Sequence, residues 1–495
     1  MACAELWEEG GKGVRRRTGW APVMAQACAL AMSGAGLMQL TGCAGSEFEP
    51  YLAFPIPLKY EAAKSTKPPD VSRWWTRFGS AELDNLMQAA NFENLDIAVA
   101  VAQLKQADAQ AQITGAALWP AVNYSDSSQR SRSSGTNVPG IISPAVERNS
   151  FTKVISASYV LDVWGQNRDA LEAAIRTVGA SAYQVEVVRL TTRASVVNNF
   201  LVYATNRERI TVAWENLRNA ERILGVIRER RAAGTASELD FAQQESLVEI
   251  QRATIPPLRQ AAENARTALA ILIGRPVQVV RLSTRRVRGL RLPAVQPGIP
   301  SDLLFRRPDI RSVEEQMASA DANVNVARKA FLPTIQLTGQ AGFQSALLST
   351  LLRPQSFIYT MAAGVTQPIF EGGKLRGQLA LSEAQRQQFL ESYRKSIVSA
   401  LTDVENALVA IRENAARENA QRVAVVAARR AFTLSEERLR EGTIDLTTVL
   451  TTQNTLFQAE DTLIQIRLAR LQAIASLFQA LGGDWEEPPA SRPAP

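Results

Sequence analysis

The chain reads as mainly α-helical with a membrane β-barrel portion, and three observations carry that fold class. One architectural unit is written twice. Each copy holds a very long stretch of helical character without a proline, 166–231 in the first and 374–440 in the second. Each copy also holds two short segments in which apolar and polar residues alternate, the pattern of a strand with one greasy and one wet face.

The repetition is visible residue by residue. "QADAQAQITGAALWPAVNY" (106–124) set above "SADANVNVARKAFLPTIQL" (319–337) puts Pro120 on Pro333 and Trp119 on Leu332, 213 positions later. "RERRAAGTASELDFAQQ" (228–244) set above "EERLREGTIDLTTVLTT" (436–452) puts Gly234 on Gly442, 208 positions later. A period of this size is far too long for a solenoid and marks two copies of one unit.

Both copies place the same parts in the same order. A helix comes first, about 95–118 or 311–331. Strands follow at about 119–128 and 151–162 in repeat 1, and at about 332–344 and 357–369 in repeat 2. In the third strand Ile335, Leu337, Gly339, Ala341 and Phe343 share a side opposite Thr334, Gln336, Thr338 and Gln340. A long helix comes next, some ~100 Å at 1.5 Å per residue. In the second of these, Tyr393, Ile397, Leu401, Val404, Leu408 and Ile411 recur at spacings of four and three, a coiled-coil-like seam. A glycine turn at 234 or 442 reverses the chain, and helices return over 239–273 and 447–481. Pro256-Pro257 predicts a kink near Ile255.

Composition narrows the chemistry. Among 495 residues there is no histidine, which removes the commonest general base and zinc ligand and so most metallohydrolase and Ser-His-Asp schemes. No nucleophile and base form a constellation, and Gly372-Gly373 lacks a phosphate-loop context, so no enzyme, cofactor or metal site is expected. A net charge of +7 is mild for this length and, without a compact basic domain, does not predict nucleic-acid binding.

The amino terminus has the layout of an export signal. Arg15, Arg16 and Arg17 precede an uncharged run rich in Ala, Leu and Met, which ends at "LTGC", residues 40–43. That tetrapeptide resembles the bacterial lipobox, in which cleavage leaves a lipid-modified cysteine as the first residue. The expected organisation is a lipoprotein signal peptide (1–42) and a lipid-anchored extended segment (43–80), then repeat 1 (81–274) and an equatorial linker (275–307). Repeat 2 (308–485) and a disordered tail (486–495) complete it. Cys3 and Cys28 leave with the signal, so the mature chain has no disulfide. Lipid at Cys43 anchors without spanning, and Ala44 after it matches the pattern for the outer membrane.

A wall with a greasy outside and a polar inside suits a barrel between lipid and water. Backbone groups in lipid must be satisfied, so the sheet has to close. Four strands are too few, since the smallest membrane barrels need about eight. The strands of several copies must therefore share one barrel. A rigid soluble scaffold with strand pairs and coiled coils is the other way to use these elements, but it leaves the export signal and lipobox without a purpose.

The phrase "LLFRRPDIRSVEEQMASADANVNVARKAFLPTIQLTGQAG" (303–342) resembles the signature of TolC-like outer-membrane efflux lipoproteins. "LDVWGQ" (161–166), "PIFEGGKL" (368–375) and "LFQALGGDW" (477–485) do so as well. The resemblance spans about Trp74 to Trp485. It implies a homotrimer with a twelve-stranded barrel and a hollow α-barrel crossing the periplasm. It also implies a periplasmic adaptor and an inner-membrane pump, usually of the resistance-nodulation-division type. The expected function is the exit duct of a tripartite efflux pump; the alternative is the outer-membrane duct of a type I-like protein secretion system. Drugs, organic acids, solvents and metal ions all fit such a duct.

The same resemblance assigns the glycine turns. Gly234-Thr235-Ala236 and Gly442-Thr443-Ile444 match the family's periplasmic tip, closed at rest and facing the adaptor. Asp240 matches a position at which family members place a ring of carboxylates, whereas Thr451 and Thr448 stand where other acidic residues are common. Glu238, Arg440, Glu441 and Asp445 are expected to latch neighbouring hairpins.

Overall fold

The computed structural model describes residues 54–63, 67–68, 70–134, 146–284, 286–485 and 487–488. The signal segment, Cys3, Cys28, Cys43 and the tail beyond 488 lie outside the described residues. All the described residues belong to one compact unit, which begins at Tyr51.

Repeat 1 contains α1 (Ala81–Glu93), α2 (Leu95–Gly115), β1 (Ala121–Arg132), β2 (Glu147–Leu161), α3 (Gln166–Ala232) and α4 (Glu238–Leu272). Repeat 2 contains α5 (Leu303–Arg306), α6 (Pro308–Lys329), β3 (Thr334–Ser345), β4 (Phe357–Thr366), α7 (Lys374–Arg440) and α8 (Leu446–Ala480). The long helices have 67 residues each and the return helices 35 each, so the two hairpins match in length. Among the described residues, no helix is long and apolar enough to cross a membrane.

α4 continues without interruption through Pro256 and Pro257, so the expected kink does not break it. Both prolines are exposed, on the side of α4 away from its buried residues Gln251 and Ile255. β1 runs to Arg132, four residues past its expected end. Beyond Ser125 it is polar on both faces, so hydropathy carries no period there although the ladder with β2 goes on.

The strands form one antiparallel sheet in the order β1-β2-β3-β4, and among the described residues one edge of β1 and one of β4 are unpaired. Directly paired residues share a face. One face carries the rows Val122–Ala157–Gly339–Met361 and Tyr124–Ile155–Ala341–Tyr359; the other carries Asn123–Ser156–Gln340–Thr360 and Ala121–Ser158–Thr338–Ala362. The alternation read in β3 therefore extends across all four strands. The helices hold the core: Trp74, Phe78, Phe200 and Phe478 are all fully buried, and Trp74 stacks on Phe478 at 5.1 Å between centroids.

That core marks a girdle halfway along α3, where its companions change. α4 ends at Leu272 and α2 begins at Leu95. Buried Asn94 joins them: its Oδ1 accepts from the Ile97 amide at 2.8 Å while its Nδ2 donates to the Leu272 carbonyl at 2.8 Å. Repeat 2 makes the same joint from different chemistry. Arg307 donates to the Ala480 carbonyl at 3.4 Å, closing α8 onto α6, and pairs with Asp309 at 2.7 Å and Asp403 at 3.0 Å. The backbones approach so closely that a Cβ on Gly274 would lie 2.2 Å from the Glu93 carbonyl oxygen, and one on Gly482 would lie 2.3 Å from that of Arg306.

Candidate functional site

Two parts of the molecule qualify, the strand wall and the hairpin turns. On the wall, the apolar face is bounded by aromatic side chains at both ends. Phe343 and Phe357 meet edge to face at 5.7 Å at the end remote from the helices, one row from Phe151. At the helix end Tyr159 stands opposite Leu337 on this face; exposed Trp119 and Trp164 flank the strands there, and Trp164 Nε1 donates to the Pro333 carbonyl at 2.7 Å. Eight residues separate Tyr159 from Phe151, about 27 Å of strand, or ~20 Å of thickness at the tilt usual in barrels. Girdles of this spacing match the apolar band of a membrane barrel, about 25 Å tall. The ion pair Arg130–Glu147 lies beyond the remote girdle, and Lys153–Asp126 lies in the row of Phe343 and Phe357, one row inside Phe151.

The turns are built alike. Gly234 has φ 75° and Gly442 φ 73°, the left-handed conformation that reverses a helix. The Gly234 amide donates to the Arg231 carbonyl at 3.0 Å and that of Thr235 to Arg230 at 2.8 Å. Gly442 and Thr443 repeat this on Leu439 and Arg438 at 3.1 and 3.0 Å. Both turns are Schellman motifs, and the Thr235 and Thr443 hydroxyls add a bond to the Arg230 and Arg438 carbonyls. Ala236 and Ile444 pack against one apolar cluster with Ile223, Phe432 and Val449, which binds the two hairpins together.

The returning helices start with different caps. Ser237 caps α4, and Asp240 completes a capping box: its Oδ2 accepts from the Ser237 amide and hydroxyl, both at 2.8 Å. The Asp240 carboxylate thus caps its own helix start through Oδ2. Asp445 caps α8, accepting from the Thr448 amide at 2.9 Å and hydroxyl at 2.7 Å. The Thr448 hydroxyl holds the Asp445 carboxyl below the usual aspartate range. Thr451 donates to the Thr447 carbonyl at 2.9 Å, an intrahelical bond.

The side chains expected as latches do not join the hairpins within the chain. Glu238 pairs with Arg231 of its own hairpin at 3.0 Å, and Arg440 with Glu436 one turn earlier at 2.6 Å. Glu441 is exposed at the end of α7. The bridges are instead Arg222 to Glu436, and Arg230, which donates to the carbonyls of Leu439 at 2.7 Å and Arg440 at 3.2 Å. Higher up, Arg209 grips Asp461 with two bonds of 2.6 and 2.9 Å. Arg222 and Arg230 are eight residues apart and so share a helix face, but sequence could not say which helix that face meets.

Comparison with known proteins agrees with this geometry. The family model described as outer membrane efflux protein matches residues 86–275 and 299–483. The chain is 39% identical to the pyoverdine export outer membrane protein OpmQ of Pseudomonas aeruginosa, covering 90% of this chain and 95% of that one. It is 31% identical to the toluene efflux pump outer membrane protein TtgC of Pseudomonas putida, over 84% of this chain and 85% of that one. Among solved structures, the Campylobacter jejuni CmeC outer membrane channel superposes with a TM-score of 0.82 at 25% identity, covering 88% of this chain and 93% of that one. A duplicated helical unit that carries a strand wall banded for a membrane, matched over most of its length, places this chain in the outer membrane efflux protein family, whose members are channels and not enzymes.

Proposed function

We propose that the chain is the exit duct of a tripartite efflux pump, passing small molecules from a periplasmic adaptor and an inner-membrane pump to the outside. The observation that carries this is the pair of hairpins of equal length. Both end in the same capped turn, and each long helix runs about 100 Å from the strand wall, a reach that suits contact with partners deep in the periplasm. The residues offered to an adaptor are Gly234, Thr235, Ala236, Gly442, Thr443 and Ile444. Relatives named for pyoverdine export and toluene efflux favour small molecules over secreted proteins.

The sheet calls for closure with neighbouring copies, and the family resemblance supports three of them. β1 and β4 run antiparallel to each other and each leaves an edge unpaired, so β4 of one copy continues onto β1 of the next with the same sense. Three copies give twelve strands. Lipid on Cys43 would hold each copy at the membrane.

Purified protein in detergent is expected to scatter light as a trimer and to open discrete conductances in a planar bilayer. A monodisperse, fully folded monomer without conductance would overturn the duct. A tagged palmitate is expected to label the wild type and not Cys43→Ala; an unlabelled wild type would remove the lipid anchor alone.

A further inference from the structure

The outward face of the strand wall accounts for nearly all of its charge. By register, Asp126, Arg130, Arg132, Glu147 and Lys153 share the face of Val122 and Ile155. The opposite face is lined by hydroxyl and amide groups, as in the row Asn123–Ser156–Gln340–Thr360. Among the described strand residues it carries one formal charge, Arg148. That side chain is exposed, sits opposite Ser131 at the end remote from the helices, and is in no ion pair among the described residues.

If the wall closes as proposed above, this second face is the lumen. We infer that the barrel is an electrically neutral conduit ending in a ring of Arg148 side chains, an anion-binding mouth that takes polyanionic solutes from the outer side. A neutral wall, mostly Ser, Thr, Asn and Gln with Val154, Val160 and Ile358 among them, carries no formal charge to trap or repel a permeating ion of either sign. The mouth is the one level at which charge enters, and threefold repetition there puts three guanidiniums on one opening with no carboxylate on the same face. The two carboxylates at this end, Asp126 and Glu147, face outward and are already paired. Guanidinium donors suit phosphate and carboxylate oxygens.

The test uses single trimers in planar bilayers, with inositol hexakisphosphate added to one side. Block is expected from the barrel side only. In 10 mM salt the half-blocking concentration is expected to rise at least ~10-fold in Arg148→Gln, with the difference fading near 1 M salt, where the screening length falls to about 3 Å. Arg148→Glu is expected to lose polyanion block and gain block by spermine. Arg353 lies in the β3–β4 connection, so Arg353→Gln is expected to keep wild-type block. Block unchanged in Arg148→Gln, or abolished in Arg353→Gln alone, would overturn the assignment while leaving the duct intact. No conductance from any variant would overturn the duct itself.

Discussion

Of the 67 residues in α3, 26 are buried; of the 67 in α7, 11 are, although the two helices hold the same place in their repeats. α3 is packed by α2, α4, α6 and α8, whereas α7 is packed mainly by α6 and α8. Duplication therefore gave two copies of one hairpin but a single interior position for a long helix. The second helix keeps large apolar side chains in the open, Val423 at 71% and Val426 at 69% exposure. One chain buries α3 far more fully than α7, and in the proposed assembly a neighbouring copy would cover the remainder of α7.

The largest loss is expected at the girdle. Gly482→Ala drives a Cβ into the Arg306 carbonyl, and φ of 92° is hostile to any side chain, so loss of more than ~4 kcal/mol and failure to assemble is expected. Gly442→Ala at the turn, with φ 73° and nothing within 4 Å, is expected to cost only about 1 kcal/mol. Chemical denaturation of both variants measures the contrast; equal losses would remove the special role of the girdle.

Next in size, Phe200→Ala empties the α3 core and is expected to cost about 3–5 kcal/mol. Leu434→Ala on α7, with the side chain 48% exposed within one copy, is expected to cost clearly less than Phe200→Ala in the same denaturation. The double change Val423→Asp, Val426→Asp is expected to leave helix content unchanged by circular dichroism and to dissociate the trimer by light scattering. An intact trimer would mean that α7 faces water.

The smallest effect concerns acid. A hydrogen bond from Arg222 holds the Glu436 carboxyl below its ordinary value of 4.5. With the folded value depressed, the bridge contributes fully above pH 4.5 and is lost as pH falls through the lower folded value. Less than ~1 kcal/mol is expected, because Glu436 is only partly buried and the Arg222 side chain is 46% exposed. Protection of the turn amides, taken relative to the intrinsic exchange rate at each pH, should fall over that range, and Arg222→Gln should abolish the change.

Much of this is legible in the sequence alone. Period-two alternation in β3 names its greasy face, since burial against lipid selects every second side chain. The aligned glycines at 234 and 442 locate both turns, because a left-handed residue is required there. Asp240 is less readable: a carboxylate three residues past a serine signals a capping box as well as it signals a ring in a trimer, and in the chain it caps. The girdle stays hidden. Asn94 and Arg307 do one job with unrelated side chains, and what they join, the end of one helix and the start of another, is distant in sequence. Gly274 and Gly482 are 208 positions apart, the same interval as the two turns, and that interval is the available sign of the joint.

The joints at Asn94 and Arg307 also have a mechanical consequence. α3 and α7 are unbroken beams whose companions are spliced at mid-length, so bending should concentrate at the splice. From Phe200 to Gly234 the lever arm is about 50 Å at 1.5 Å per residue. A tilt of about 5° at the splice would then carry a turn ~4 Å sideways while the strands stay still. Three such levers would widen an aperture at the far end without straining the part of the molecule that the membrane holds.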